Sequence, residues 1–176
     1  LSIRRQRQMC IRDSPSKGQV IVDGKQLGKD VDFAPDAGII IETPCFLPYL
    51  SGFQNLKELA SIRNIISKEE IAEAMEQVKL DPSSRKHVGK YSLGMRQRLG
   101  IAQAIMERPR YLILDEPMNG LDTQGMEDVR ELLQKQKETG VTVILASHSM
   151  EDIRLLCDTV HRIQDASLIP CTTEFS

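Results

Sequence analysis

Two adjacent carboxylates, Asp115 and Glu116, directly follow the apolar run Tyr111 to Leu114. Such a run predicts a buried central strand, and open α/β sheets bind ligands at the carboxyl ends of their strands. Because side chains alternate along a strand, we expect the two carboxylates to diverge, with Asp115 serving a Mg²⁺ ion and Glu116 facing an attacking water. The alternative is a plain strand followed by an acidic loop that caps a helix.

A histidine is expected at the same edge of the sheet. The run Val141 to Ala146 predicts another strand, and it is followed by Ser147 and His148. An imidazole in this position can donate a hydrogen bond to a phosphate oxygen and sense whether that phosphate is present. A lone histidine after a strand is more often a structural group, so the neighbouring motifs decide what His148 indicates.

Two other segments predict the starts of helices. Asn119 to Asp122 forms a predicted tight turn before a helix, which by itself is only a turn with an N-cap. Ser92 and Gly94 stand where another helix begins, and a helix N-terminus offers free N–H groups and a positive dipole end to an anion. An ordinary N-cap would explain Ser92 but not Gly94, because glycine in the first turn costs helix stability.

The elements that must position these residues alternate between strands and helices. Strands are predicted at residues 19–22, 38–41, 111–114, 141–146 and 159–163. Helices are predicted from near residue 68 to before Pro82 and at 92–107, 125–138 and 151–157, and Ser67 and Glu70 have the spacing of a capping box. The strand–helix–strand succession over 111–146 predicts a parallel pair with a right-handed crossover, and therefore an α/β fold.

Composition narrows the function classes. The 176 residues are 40% hydrophobic and 27% charged, which fits one globular domain. A net charge of −2 with interspersed signs disfavours binding to nucleic acid or an anionic membrane. Four scattered cysteines predict reduced, mostly buried thiols. No apolar run approaches the roughly 20 residues of a membrane span. We therefore expect a cytoplasmic chain without direct membrane insertion, which reaches a membrane only by docking to another protein.

In this order and at these intervals, the motifs resemble those of the ATP-binding-cassette ATPase family. Residues 92–98 are similar to its signature motif, 112–116 to its Walker B strand, 119–122 to its D-loop and 147–148 to its switch histidine. The resemblance covers about residues 18–163. It implies a P-loop NTPase-like three-layer core with a mostly parallel sheet, an inserted α-helical subdomain at about 54–107, and ATP and Mg²⁺ as cofactors.

The resemblance also implies roles for single residues. Glu116 and His148 would be catalytic and Asp115 would serve the metal. The signature helix of one subunit covers ATP held by the other in this family, so dimerisation with a second nucleotide-binding subunit is expected. The residues implied at the nucleotide are Ser92, Gly94, Asp122 and Glu42.

The sequence departs from the family pattern at two motifs. The signature, usually Leu-Ser-Gly-Gly-Gln, is here Tyr-Ser-Leu-Gly-Met, and Glu42 stands in place of the Q-loop glutamine. Glu42, the following Thr-Pro and an aromatic loop over 46–53 resemble the bacitracin and lantibiotic-export branch. This implies an export subunit that works with a separate permease at the inner face of the cell membrane. The loop would face the permease or pack on its own helical subdomain.

Two other interpretations stay open. One is a soluble cassette ATPase that acts on ribosomes or DNA, which the absence of heptads between Glu42 and the signature disfavours. The other is a non-catalytic subunit that kept the fold. Retention of Asp115, Glu116 and His148 disfavours it.

The ends of the chain carry expectations of their own. No Gly-x-x-x-x-Gly-Lys-Ser/Thr loop occurs, and in the family this loop precedes the segment similar to residues 15–24. We therefore expect the N-terminal part of the core to be missing, and we expect the 176-residue chain as written to bind ATP very weakly and to carry out no useful hydrolysis. Residues 1–14 are expected to be non-native and outside the fold, since the stretch that ends with residues 9–14 resembles translated adapter sequence; a basic arm for nucleic acid is the alternative. Residues 15–176 would then form a partial ABC ATPase domain. After residue 164 no glycine turn or strand is predicted.

Overall fold

The computed structural model describes residues 17–32, 34, 36–41, 44–165 and 167–171. The chain divides into two compact units, Leu1–Ala37 and Gly38–Ser176. In the first unit, β1 (Ile21–Val22) pairs antiparallel with β2 (Lys25–Gln26). Asp23 and Gly24 form the connecting turn with positive φ angles of 51° and 75°. The predicted strand and turn are confirmed, although the strand is shorter than expected. The predictions for residues 1–14 lie outside the described residues.

A three-stranded sheet has the order β3 (Ala37–Ile40), β4 (Tyr111–Asp115) and β5 (Thr142–Ala146), and from Gly38 onward its residues belong to the second unit. β4 and β5 run parallel, and their register pairs Asp115 with Ala146. Leu112 and Leu114 on β4 are buried. The predicted strands and the parallel pair are confirmed. Because the register aligns the carboxyl ends of β4 and β5, the residues that follow the two strands start from the same edge.

Among the described residues, the α-helices are, in chain order, α1 (Gly52–Arg63), α2 (Lys68–Gln77), α3 (Leu93–Ile105), α4 (Thr123–Glu138) and α5 (Met150–Leu156). A 3₁₀ turn over Val88–Lys90 precedes α3. Each of these α-helices begins after a residue whose side chain accepts a backbone N–H of the first turn, as N-caps do. These caps are Ser51, Ser67, Ser92, Asp122 and Ser149. The predicted helices therefore start within two residues of their observed positions.

Helix α1 (Gly52–Arg63) is not among the helices predicted from periodicity, but most of it falls within the α-helical subdomain that the resemblance implies at about 54–107. The helix begins with a complete capping box in which the Ser51 hydroxyl accepts from the Gln54 N–H at 3.2 Å. The Gln54 side chain accepts in return from the Ser51 N–H at 2.9 Å. The Ser-x-x-Gln spacing that signals this box was present in the sequence.

One hydrophobic core joins these helices to the sheet. Helix α1 packs against α2 and α2 packs against α3, and α3 lies against the sheet. A Cβ placed on Gly38 of β3 would lie 1.9 Å from the carbonyl oxygen of Ala104 on α3. Only glycine allows this approach of strand to helix backbone. The largest fully buried side chains include Leu56, Ile71, Met75, Leu99, Leu112 and Leu133. The bounds of the helical subdomain at about 54–107 stay a prediction.

The C-terminal segment corrects the sequence analysis. β6 (Val160–Gln164) pairs antiparallel with β7 (Ser167–Cys171), so the prediction of no strand after residue 164 is wrong. Asp165 adopts a φ of 49° at the turn, so an aspartate takes the left-handed conformation for which a glycine was expected. Among the described cysteines, Cys45 is exposed while Cys157 and Cys171 are half-buried, so the expected burial is wrong. No described helix is long and apolar enough to cross a membrane.

Candidate functional site

The structure brings Glu116 and His148 together at the carboxyl edge of the sheet. The Glu116 N–H donates to the Ala146 carbonyl at 2.9 Å, which extends the pairing of β4 and β5 by one bond. A Glu116 carboxylate oxygen lies 2.7 Å from the His148 Nδ1 and accepts the His148 backbone N–H at 3.0 Å. The imidazole is 79% exposed and the carboxylate side chain 29% exposed. The pair is thus open to an incoming ligand.

The Glu116 side chain is directed by its own backbone conformation and not, as expected, by alternation along β4. β4 ends at Asp115, and Glu116 adopts a φ of 48°, so strand alternation does not extend to it. This left-handed conformation is uncommon for a residue with a side chain and marks local strain. The premise that alternation separates the two carboxylates is therefore wrong at Glu116.

Glu116 controls the protonation of His148. Its hydrogen bond with the imidazole, followed by its negative charge, raises the pKa of His148 above the usual value. Because the pKa is raised in the folded protein, the contact stabilises the fold below the ordinary histidine pKa of about 6.5. That contribution is lost as the pH rises through the raised value.

This linkage predicts a measurable titration. In a ¹H NMR titration of the protein, the His148 imidazole is expected to titrate above the ordinary histidine pKa of about 6.5. A Glu116→Gln variant should lower the pKa of His148, because the charge that holds the proton is gone. A His148→Gln variant assigns the resonance. Titration of His148 at the same pH in both proteins would show that the contact does not form in solution.

The N-terminus of α3 interlocks with the turn over 119–122. A Cβ on Gly94 would lie 2.8 Å from the Gly120 carbonyl oxygen, and one on Gly120 would lie 2.4 Å from the Leu93 Cγ. Gly120 also has a φ of 76°. An N-cap does not explain why glycine stands at position 94, whereas close packing against this turn does, because it leaves no room for a side chain. Ser92 N-caps the helix by accepting the Met95 N–H at 3.2 Å and is exposed.

The packing of Gly94 predicts the sign of a substitution effect. Alanine normally stabilises a helix by about 1 kcal/mol relative to glycine. Gly94→Ala should instead lower the free energy of unfolding by about 1 kcal/mol, because relieving the clash with the Gly120 carbonyl costs more than helix propensity returns. Urea unfolding followed by circular dichroism measures the change. A stabilised variant would mean that the turn is not packed against the helix.

The remaining predicted site residues divide into two cases. Asp122 lies in the predicted turn and N-caps α4 by accepting the Gly125 N–H at 2.9 Å. The turn and cap are confirmed, and the role of Asp122 at a nucleotide stays a prediction. Glu42 lies outside the described residues. In the aromatic loop, Phe46 and Phe53 pack against the core, whereas Tyr49 is 63% exposed.

Sequence reasoning missed three polar residues that support the site. Gln97 on α3 is buried, and its Nε2 donates to the Pro117 carbonyl at 3.1 Å. Arg130 on α4 donates from Nε to Asp152 at 2.7 Å, and Asp152 lies in the first turn of the helix that follows His148. A polar residue four positions before Ile101 on an apolar helix face was an available signal for Gln97.

The Asp115 carboxylate could hold a divalent cation only if a bound phosphate group supplied further oxygen ligands. Mg²⁺ is usually held by one or two carboxylates plus phosphate oxygens and water. Asp115 stands half-buried at the end of β4 beside Glu116. Within the described ranges, no group of three His, Cys, Asp or Glu side chains could hold a metal ion. A magnesium ion at Asp115 therefore fits as a companion of a nucleotide.

These motifs and this sheet edge were compared with known proteins. The sequence profile described as ABC transporter matches residues 7–119. The chain belongs to the ABC transporter family. It is 44% identical over 144 residues to the uncharacterized ABC transporter ATP-binding protein YybJ of Bacillus subtilis (strain 168), covering 82% of this chain and 66% of that protein.

Two of the relatives have names that state a transport role. The chain is 40% identical over 157 residues to the bacitracin transport ATP-binding protein BcrA of Enterococcus faecalis, covering 88% of this chain and 51% of BcrA. It is 33% identical over 156 residues to the lantibiotic transport ATP-binding protein SrtF of Streptococcus pyogenes, covering 89% and 67%. The chain thus spans about half to two thirds of the length of these curated relatives. The predicted family resemblance is confirmed.

A solved structure confirms the fold. The chain matches the dimeric structure of a post-hydrolysis state of the ATP-binding cassette MJ0796 bound to ADP and Pi, with a TM-score of 0.71. The match has 20% sequence identity and covers 86% of this chain and 72% of that one. The predicted P-loop NTPase-like α/β fold with a parallel sheet is therefore confirmed.

Proposed function

We propose that the full-length gene product containing this chain is the ATP-hydrolysing subunit of an ABC exporter. The observation that carries the proposal is the contact between Glu116 and His148 at the carboxyl edge of two parallel strands. Ligands bind at this edge in open α/β sheets. A carboxylate that can accept a proton from water stands there beside an imidazole that can donate to a phosphate.

The roles proposed for the pair follow from their hydrogen bond. Glu116 acts on the attacking water by accepting its proton as the water oxygen bonds to the γ-phosphorus. The bond from that phosphorus to the bridging oxygen breaks in the same step, so that ADP leaves and inorganic phosphate is formed. The raised pKa of His148, caused first by its hydrogen bond to Glu116, favours the imidazolium, in which both ring nitrogens carry protons. With Nδ1 on Glu116, Nε2 of the same ring remains able to donate to a γ-phosphate oxygen.

Other residues would bind and orient the nucleotide. Asp115 would hold the Mg²⁺ ion, which when bound neutralises phosphate charge. Ser92 is exposed at the start of α3, and it would complete the ATP site of a second copy of the subunit together with Gly94. Asp122 and Glu42 complete the proposed nucleotide set. These assignments rest on family resemblance and on the placement of the described residues.

Export of a peptide antibiotic or drug is proposed as the transport role. It rests on the resemblance around Glu42 and on the printed names of BcrA and SrtF, which are bacitracin and lantibiotic transport proteins. The subunit would lie at the inner face of the membrane by docking to a separate permease. Leu47 and Tyr49 are the exposed apolar residues of the aromatic loop, and they would contact such a partner.

The test is Mg²⁺-dependent ATP hydrolysis by the purified full-length gene product, alone and with a membrane permease that co-purifies with it. We expect hydrolysis that requires Mg²⁺ and a complex with the permease in detergent. ATP binding without turnover would instead support a non-catalytic subunit. Co-purification with ribosomes or DNA in place of a permease would support a soluble cassette ATPase.

A further inference from the structure

We propose that Gln97 is a positioning residue for Glu116, whose conformation it fixes through the backbone of Pro117. The inference deepens the proposed function, in which Glu116 acts on water. It concerns a side chain on α3, a helix whose other site residues, Ser92 and Gly94, stand at its first turn. Because its hydrogen bond is to Pro117 of the same chain, Gln97 would position the Glu116 carboxylate of its own subunit.

The conformation of Glu116 needs support from outside its own segment. Its φ of 48° places a residue with a full side chain in the left-handed region. It also precedes Pro117, and the ring of a proline pushes the preceding residue toward extended backbone. Both local preferences therefore oppose the observed conformation. Such strain persists only where surrounding contacts hold it in place.

Gln97 provides a contact at this junction. Its side chain is 4% exposed, and Nε2 donates to the Pro117 carbonyl at 3.1 Å and approaches the Glu116 carbonyl at 3.5 Å. The Glu116 carbonyl also accepts the Asn119 N–H at 3.1 Å. One amide group thus faces the carbonyls on both sides of the Pro117 ring. Since Pro117 is fully buried, water cannot replace this donor without rearrangement of the segment.

Loss of the donor would act on the carboxylate through the backbone. Without the Gln97 amide, the Glu116–Pro117 segment can relax toward negative φ, which redirects the Glu116 side chain. The contact of 2.7 Å with the His148 Nδ1 would then lengthen or break. Because that contact raises the pKa of His148, the histidine reports the position of Glu116 whether or not ATP is turned over.

The test uses the full-length gene product with Gln97→Met, which keeps the length of the side chain but removes the donor. We expect the pKa of His148, measured by NMR, to fall toward its usual value, and kcat for ATP hydrolysis to fall about tenfold, equivalent to about 1.4 kcal/mol. KM for ATP should stay within about twofold, because Gln97 is buried away from a ligand. Met75→Ala, a buried substitution on α2, controls for lost stability and should change neither quantity.

Gln97→Glu is the second variant, and it tests the donor itself. An ionised carboxylate would repel the two carbonyls, whereas a protonated one can donate to the Pro117 oxygen. The activity of this variant relative to the unmodified protein should therefore rise as the pH is lowered. An unchanged His148 pKa in Gln97→Met, or equal changes in Met75→Ala, would overturn the proposal. If the unmodified protein hydrolyses no ATP, the proposed function fails, while the His148 titration still decides the role of Gln97.

Discussion

Replacing Glu116 with glutamine is expected to lower kcat for ATP hydrolysis by the full-length gene product at least about 100-fold, because a positioned general base contributes about that much or more. Glutamine keeps the size of the side chain and can still contact His148, but its neutral amide cannot accept the proton of the attacking water. The substitution removes an interaction made in the transition state. Binding of ATP should therefore stay within about threefold of the unmodified protein.

The matched control is Glu127→Gln, the same change at an exposed position on α4. It should leave kcat unchanged, since no contact links Glu127 to the sheet edge among the hydrogen bonds of the described residues. Steady-state phosphate release and equilibrium binding of a fluorescent ATP analogue give the two quantities separately. Equal kcat values for Glu116→Gln and the unmodified protein would remove Glu116 from the mechanism and leave the base to be sought elsewhere.

The elements of this fold that the sequence predicted are those with local causes. Ser67 and Glu70 form the expected capping box because both partners lie within one helical turn. The apolar run from Tyr111 forms a strand because it has no polar face to expose. The parallel pairing of β4 and β5 followed from the helix between them, since such a crossover returns the chain in the same direction. In each case the deciding residues are neighbours along the chain.

What the sequence did not predict depends on backbone conformation or on distant contacts. The strand after residue 164 was missed because Asp165, which is not glycine, adopts a positive φ. The same conformation at Glu116 was unforeseen, so alternation along β4 was extended one residue too far. The sequence did predict one shared sheet edge for Asp115, Glu116 and His148, because these residues follow the ends of two strands that pair in parallel. The Gln97 contact with Pro117 and the packing of Gly94 against Gly120 join segments far apart in sequence. The catalytic and binding roles stay predictions.

The largest expected effect on stability comes from Arg130→Met, which should lower the free energy of unfolding by about 3 kcal/mol. Arg130 lies on α4, and its guanidinium donates to Asp152 at 2.7 Å and to Glu151 at 2.9 Å. Asp152 is only 2% exposed, so removing the arginine leaves a carboxylate buried without its cation. That cost, more than the loss of the attraction, makes the substitution severe. Urea unfolding of the full-length gene product measures it.

The two carboxylates that share Arg130 provide an internal control. The Glu151 side chain is 69% exposed, so Glu151→Gln should cost less than about 1 kcal/mol, as exposed ion pairs do. A double variant, Arg130→Met with Asp152→Leu, should recover much of the lost stability, because apolar partners of similar volume can replace a buried ion pair. Equal costs for Arg130→Met and Glu151→Gln would mean that Asp152 is hydrated in solution. The ion pair would then not fix the first turn of α5, where Asp152 lies four residues after His148, against α4.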